Sequence, residues 1–431
     1  MVDRDTIFAL SSGQLPAAIA VIRLSGPEAL VAARALTGKD LPLPRRAGLR
    51  RFVDPRTGEL LDEALLLCFP GPNTETGEDM AEFQCHGSHA VVRGIESALS
   101  ALPGLRLAGP GEFTRRAFLN GKMDLAGIEG LGDLIAAETA LQRRAAMAMM
   151  GGALSRRIDD WTNRLRRIAA QIEARLDFSD EGDVADAGAL SGVAAAAGAI
   201  AQDMAAELER PTAERLRDGI RIAIGGPPNA GKSSLFNILV GRDAAIVSPH
   251  AGTTRDIIEA SISLNGVPVV LSDSAGLRAG GDDVEKIGIG RAEALLANAD
   301  IVLWLGSPDE QPQTEGRLIQ IASKADLAAS HESAGLAVSS LTGEGIDQLI
   351  AKICEAAAVL LPAPGDYALS RRQRDIIARA QIALADCTSL HDEILIAESV
   401  RQAMAALDEI TGRATTESVL DELFRGFCIG K

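Results

Sequence analysis

Residues 226–233 read Gly-Pro-Pro-Asn-Ala-Gly-Lys-Ser, a match to the spacing GxxxxGK[ST]. No other segment so narrows what the chain can fold into, because such a loop works only between a strand and a helix. The apolar run 220–224 before it has strand character, and 234–239 after it is compatible with a helix. Glycines let the backbone turn consecutive N–H groups inward around phosphate oxygens. The helix start adds its positive end to the same place. Lys232 is then expected to reach the terminal phosphates, and the Ser233 hydroxyl to ligate Mg²⁺. The alternative is a plain glycine-rich turn between strand and helix, and the flanking pattern argues against it. A nucleoside triphosphate is the expected ligand, held in an α/β module.

Three more segments follow in a fixed order. Asp273-Ser274-Ala275-Gly276 closes a second apolar run, 267–272. An aspartate at that strand end suits a Walker-B role towards Mg²⁺, and Gly276 can offer its N–H to the γ-phosphate. Between the two motifs lies Gly252-Thr253-Thr254-Arg255-Asp256, where Thr254 is expected as a second hydroxyl ligand of Mg²⁺. Base choice is expected from Ser323-Lys324-Ala325-Asp326, which follows the strand-like 318–322. The Asp326 carboxylate can accept from N1–H and the exocyclic amine of guanine, a donor pair that adenine lacks. Ser339, Ser340 and Leu341 would buttress the base. The usual pattern has asparagine where this chain has Ser323, and a water-orienting glutamine where it has Leu277.

With these residues in view, the run PNAGKSSL, the GTTRD loop and DSAGLR resemble the potassium-activated, translation-factor-related GTPases. Three further features narrow the resemblance to the MnmE (TrmE) family of tRNA-modification GTPases. They are Thr76-Gly77-Glu78-Asp79, the stretch 109–122 (GPGEFTRRAFLNGK) and the segment Cys428-Ile429-Gly430-Lys431. The resemblance covers essentially the whole chain. It implies that Asn229 is a side-chain ligand of K⁺, with backbone carbonyls of Ser248, His250 and Thr253 completing that site. Lys232, Asn229 and Glu285 would be the catalytic residues, with Glu285 orienting the attacking water in place of the missing glutamine. Sequence alone would read Glu285 as one more solvated carboxylate. The implied nucleotide contacts comprise Asn229, Ala230, Gly231, Lys232, Ser233 and Ser234. They continue through Ser248, Pro249, His250, Ala251, Gly252, Thr253 and Thr254 to the aspartate, base and buttress segments above.

The family also implies a folate-binding-like N-terminal domain that carries 5,10-methylenetetrahydrofolate, for which 5-formyltetrahydrofolate is an analogue. By motif position Arg23, Glu82, Lys122 and Lys431 match its folate contacts. The family has an aromatic before TGED where this chain has Glu75, and the early turn Gly13-Gln14-Leu15-Pro16 carries fewer glycines than is usual. The implied partners are a second copy of the chain, dimerised through the N-terminal domains, the FAD protein MnmG (GidA) in a heterotetramer, and tRNA. A rival class is a GTPase switch in ribosome assembly. Such proteins carry a KH-like domain or a second G domain, whereas this chain has one P-loop and no GXXG followed by basic helices after residue 361.

The fold expected is α/β together with α. It comprises a folate-binding and dimerisation domain over 1–118, a helical domain over 119–215 and a Ras-like G domain with a mostly parallel sheet over 216–361. The helical domain then resumes over 362–431. Pro211 and Pro362-Ala363-Pro364-Gly365 mark the entry to and exit from the inserted G domain. The link 306–317 between two expected parallel strands contains Pro308 and Pro312 and is barely long enough for a crossover, so its helix is expected to be reduced or absent.

With 431 residues the chain exceeds one hydrophobic core. No apolar stretch approaches bilayer length and the start lacks an export pattern, so a cytoplasmic protein without a membrane anchor is expected. Five scattered cysteines with no CxxC fit a reducing compartment. Cys85-His86-x-x-His89 lacks a second cluster to complete a zinc site. Cys428 reads either as a small packed side chain or as a catalytic thiol. The net charge of −16 is awkward for a tRNA-binding protein and points to a basic partner that does much of the RNA holding. The local clusters Arg45, Arg46, Arg50 and Arg51, then Arg143 and Arg144, and Arg156, Arg157, Arg164, Arg166 and Arg167, read equally as solvated faces or RNA contacts.

Overall fold

The computed structural model describes residues 5–38, 40–177, 187–242, 258–273, 282–327, 335–363, 365–390, 392–414, 417–427 and 429–430. The chain divides into two compact units, residues 1–128 with 408–431, and residues 129–407.

The first unit is built on six strands. They are β1 (Thr6–Leu10), β2 (Ala17–Ser25), β3 (Gly48–Val53), β4 (Leu60–Phe69), β5 (Met80–Gly87) and β6 (Leu105–Leu107). Their spatial order is β3-β4-β5-β2-β1-β6, antiparallel throughout except for the β1–β6 pair. The helices α1 (Ala29–Thr37) and α2 (His89–Ser100) supply the apolar side chains that cover one face. Ser88 starts α2 by accepting from the Val91 amide, which satisfies one of the donors a helix start leaves open. Phe8, Ile22, Leu24, Phe52, Leu66 and Phe83 of the sheet form the core with Leu36 of α1 and Ile95 and Leu99 of α2, all fully buried. The Phe52 and Phe83 rings meet at 4.8 Å in a tilted pair. A short helix α3 (Glu112–Leu119) follows β6, and α4 (Leu125–Ala136) begins in this unit.

The second unit opens with α5 (Ala140–Met150), α6 (Ala153–Asp177), α7 (Ala187–Leu208) and α8 (Ala213–Asp218). Apolar residues at three- and four-residue spacing in α6 put Leu154, Ile158, Trp161, Leu165, Ile168 and Ile172 in the interior. A strand–helix alternation follows: β7 (Ile220–Gly225), α9 (Lys232–Arg242), β8 (Ile258–Leu264), β9 (Val267–Asp273), α10 (Asp282–Ala297), β10 (Ile301–Trp304), β11 (Arg317–Ser323), β12 (Leu336–Val338) and α11 (Ile346–Ala358). The sheet runs β12-β11-β10-β7-β9-β8 and is parallel except for β8. Its buried strands are near-continuous apolar runs, as in a sheet covered on both faces. The link between β10 and β11 holds one short 3₁₀ turn, Pro308–Glu310, and no α-helix, as the two prolines predict. Beside it lies a cavity of about 690 Å³ lined by Gly226, Leu296, Trp304, Glu310 and Pro312.

The helices resume with α12 (Arg371–Ala385) and α13 (Glu393–Thr411), which crosses into the first unit. Ser370 and Gln373 form a reciprocal capping box at the start of α12. The entry to the strand–helix module and the exit from it lie side by side. Thr212 and Leu369 form a parallel bridge, and the Ala213 amide donates to the Leu369 carbonyl at 3.0 Å. The Tyr367 hydroxyl donates to Glu207 Oε1 at 2.8 Å, and Arg374 donates to the carbonyls of Arg210 and Leu208. The module is thus tied to the helices by one isolated bridge and by side-chain hydrogen bonds across its two connections. In the first unit α14 (Glu417–Arg425) packs Leu420 and Phe424 on Leu125 and Ile128. Ile429 bridges Pro110, and Gly430, at φ +97°, lies against the Leu10 backbone where a side chain would not fit.

Candidate functional site

The P-loop occupies the β7–α9 junction, at the carboxyl end of the sheet's strands. Gly226 packs so close to the Leu305 backbone that a Cβ would stand 3.1 Å from its carbonyl. Asn229 and Gly231 have φ +58° and +98°, and asparagine and glycine are residue types that tolerate this region. Lys232 is buried, 6% exposed, and its Nζ donates to the Gly226 and Pro227 carbonyls at 3.0 and 2.8 Å. The ammonium therefore lies folded back onto carbonyls of its own loop. The Ser233 hydroxyl donates to Asp273 Oδ2 at 2.7 Å. Asp273 ends β9 and is 1% exposed. A hydroxyl and a buried carboxylate that converge here make a donor set of hard oxygens, which fits Mg²⁺. Ser234, next in the first turn of α9, is exposed.

The base-reading segment stands at the end of β11. Ser323 Oγ donates to the Ala230 carbonyl at 2.7 Å, Lys324 takes a left-handed φ of +62°, and the Ala325 amide donates to the Val338 carbonyl at 3.2 Å. Asp326 Oδ1 accepts from the Ser339 hydroxyl at 2.6 Å. Ser339 is fully buried, and its oxygen also accepts from the Leu341 and Thr342 amides at 3.2 Å. Its hydrogen-bonding capacity is saturated, so it holds the Asp326 carboxylate in one orientation. Ser340 is half-buried beside it and Leu341 is 84% exposed, an apolar side chain standing where a purine face could be covered. The structure thus brings together Asn229, Ala230, Gly231, Lys232, Ser233, Asp273, Ser323, Lys324, Ala325, Asp326, Ser339, Ser340 and Leu341 at one end of the sheet.

Ser248, Pro249, His250, Ala251, Gly252, Thr253 and Thr254 lie outside the described residues, as do Ser274, Ala275 and Gly276. Glu285 falls in α10 with its side chain outside the described part, and Cys428 and Lys431 also lie outside it.

In the first unit, Arg23 and Glu82 are direct partners across the β2–β5 ladder and form an ion pair at 2.9 Å. Glu75 closes on Arg23 from the other side at 2.8 Å, a contact that the sequence reading did not anticipate. Lys122 lies along Gly77, so the loop 75–79 touches both basic residues. Behind it a buried polar network joins Ser25, Thr76, Glu78 and Arg116. It escaped sequence reasoning because its members come from three distant segments. Burial alone would raise the Glu112 carboxyl. Hydrogen bonds from Arg106 and the Gly109 amide, with the charges of Arg106 and Arg116, outweigh that and hold it below the usual carboxylate range. Burial pushes the thiols of Cys68 and Cys85 up to about 11, and His86 turns to Asp62 at 2.8 Å. Among the described residues no group of three metal-binding side chains converges.

Comparison with known proteins matches residues 6–122 to the N-terminus of the GTP-binding protein TrmE, and residues 125–428 to the MnmE helical domain. The tRNA modification GTPase MnmE of Erythrobacter litoralis is 50% identical over 428 residues, covering 99% of this chain and all of that protein. That of Rhizorhabdus wittichii is 53% identical over 431 residues, covering 99% and 97%. The chain belongs to the MnmE family. A third member, from Zymomonas mobilis, is 48% identical over 432 residues. Family membership joins both units in one protein: the MnmE-type helical region brackets the P-loop module, and the TrmE-type N-terminus accounts for the antiparallel sheet.

Proposed function

We propose that this protein is a K⁺-stimulated GTP hydrolase of tRNA modification. Working with MnmG, it would install the aminomethyl or carboxymethylaminomethyl group at C5 of the wobble uridine from a tetrahydrofolate one-carbon unit. One observation carries the GTPase reading. Lys232 and the Ser233–Asp273 pair stand at the same strand ends as the Asp326 carboxylate that Ser339 orients. In this reading the first group takes the phosphates and Asp326 reads the base, and the Ser323–Ala230 hydrogen bond that links the two segments supports it. Full-length likeness to the tRNA modification GTPases supports the substrate class. The domains are proposed as 1–118, 119–215, 216–361 and 362–431, with the G domain inserted between the two helical parts.

In this reading the P-loop amides cradle the phosphates and Lys232 leaves its loop carbonyls for the terminal phosphate oxygens. Ser233 turns its oxygen to the cation, directly beside Asp273. Glu285 positions the attacking water, a task Leu277 cannot perform. When bound, Mg²⁺ and K⁺ supply positive charge against the phosphate oxygens where charge develops, and the folate supplies the one-carbon unit. Asn229 would hold K⁺ with Ser248, His250 and Thr253. Arg23, Glu82, Lys122 and Lys431 would hold the folate. A homodimer through the N-terminal domains, a heterotetramer with MnmG and a cytoplasmic location complete the proposal. Among the described residues no helix is long and apolar enough to cross a membrane.

The test is mass spectrometry of tRNA nucleosides from a strain lacking this protein. Loss of C5-modified wobble uridine is expected, and an unchanged nucleoside profile would refute the reading. For the site, Asp326→Asn should weaken GTP and improve xanthosine triphosphate.

A further inference from the structure

The hydroxyl of Ser323 joins the base-reading segment to the P-loop, and its geometry has a consequence for both. Ser323 Oγ donates to the Ala230 carbonyl at 2.7 Å. The peptide that links Ala230 to Gly231 is planar and trans, so its C=O and N–H point in opposite directions. A carbonyl anchored towards β11 therefore aims the Gly231 N–H away from β11. Asn229 and Gly231, on either side, both have positive φ, the alternation that makes successive amides converge into an anion-binding nest. Two other loop carbonyls, Gly226 and Pro227, are held by Lys232 Nζ. That tie must open if the lysine moves to a phosphate, whereas the Ser323 tie can persist. A Cβ built on Gly231 would find Ser323 Cβ as its neighbour at 3.9 Å, so a methyl there would just reach the Ser323 side chain.

A serine hydroxyl has one proton, and here it is committed to Ala230. A carboxamide in this position would have two, one for the loop and one for the imidazole edge of the purine. We infer that Ser323 is a positioning residue that sets the Gly231 amide for the nucleotide's phosphates, and that N7 of the purine is left unread, discrimination resting on Asp326. This deepens the reading of the site as a GTP site and rests on it.

The experiment is isothermal titration calorimetry of the full-length protein with GTP and 7-deaza-GTP, together with steady-state hydrolysis. The unaltered protein should bind the two nucleotides within about twofold of each other. Ser323→Ala should weaken GTP by roughly three- to tenfold, the worth of one neutral hydrogen bond, and should lower kcat as well. Ser323→Thr, which keeps the hydroxyl, should restore both. Ser323→Asn should bind GTP more tightly than 7-deaza-GTP. More than fivefold preference of the unaltered protein for GTP over 7-deaza-GTP would overturn the unread edge without any mutant having to fold. A Ser323→Ala protein of native circular dichroism with unchanged affinity and kcat would overturn the positioning role. Absence of GTP binding by the unaltered protein would instead overturn the site reading beneath it.

Discussion

Tyr367→Phe removes one hydroxyl from the junction at which the GTP-binding module joins the helices. That hydroxyl donates at 2.8 Å to Glu207, and both residues are buried, 8% and 3% exposed. Burial, then the Glu207 charge, push the Tyr367 phenol far above its ordinary range, so the neutral, donating form is favoured. A hydrogen bond to a charged acceptor contributes about 1.5–3 kcal/mol net. Glu207 would retain Arg210 at 3.2 Å and Arg157 at 3.8 Å, which offsets part of the loss. The expected cost is therefore about 1–2 kcal/mol, a factor of roughly 5–30 in the local opening equilibrium. Global unfolding of a chain of several domains is not two-state, so the assay should be local. Native-state hydrogen exchange at the Ala213 amide, which donates to the Leu369 carbonyl, reads the junction directly. Exchange there should accelerate by that factor in Tyr367→Phe, and the Glu207→Gln and double variants should show strong non-additivity. An Ala213 rate within twofold of the parent would refute the claim that this contact closes the junction.

Other positions offer independent checks. Gly345 has φ +74° and a Cβ there would run into the Ala337 carbonyl, so Gly345→Ala should cost at least about 1–3 kcal/mol and weaken GTP by shifting the adjoining Ser339–Asp326 contact. Parent-like Tm and GTP affinity would count against it. The folded-state pKa of Glu112 is depressed, so its stabilisation is present above the ordinary glutamate pKa of about 4.3 and is lost as pH falls through the lower folded value. Glu112→Gln should therefore lose stability at neutral pH and show a shallower acid limb in a Tm-against-pH series; an unchanged acid limb would contradict this. Glu75→Gln should free Arg23 from its second carboxylate and tighten 5-formyltetrahydrofolate, by no more than about fivefold because exposed ion pairs are weak. Weaker folate binding by calorimetry would show that Glu75 helps the ligand rather than competing with it.

Much of the GTP-binding module was legible in the residues because its signals are local. A P-loop must have glycine or asparagine where the backbone turns left-handed, a strand before it and a helix after it, and 226–233 met all three conditions. The same held for the 306–317 link, where two prolines barred a crossover helix. The junction of Glu207 with Tyr367, the closure of Glu75 on Arg23 and the network around Arg116 were not legible. Each joins groups far apart in the chain, and nothing in a window of neighbouring residues encodes such a meeting. The use of Ser323 is intermediate. Its departure from asparagine was plain in the sequence, but its grip on the Ala230 carbonyl depends on how β11 lies beside the P-loop.

By itself the sequence pointed to a GTP-binding module, gave the order of its nucleotide motifs and indicated the family, since short-range stereochemistry and motif spacing carry those. Tertiary structure alone decided which carboxylates neutralise which cations, how the two connections of the strand–helix module are bound together, and that Gly430 lies against Leu10. Ion pairs and close backbone approaches fall off within a few ångströms, so only the folded distances can assign them.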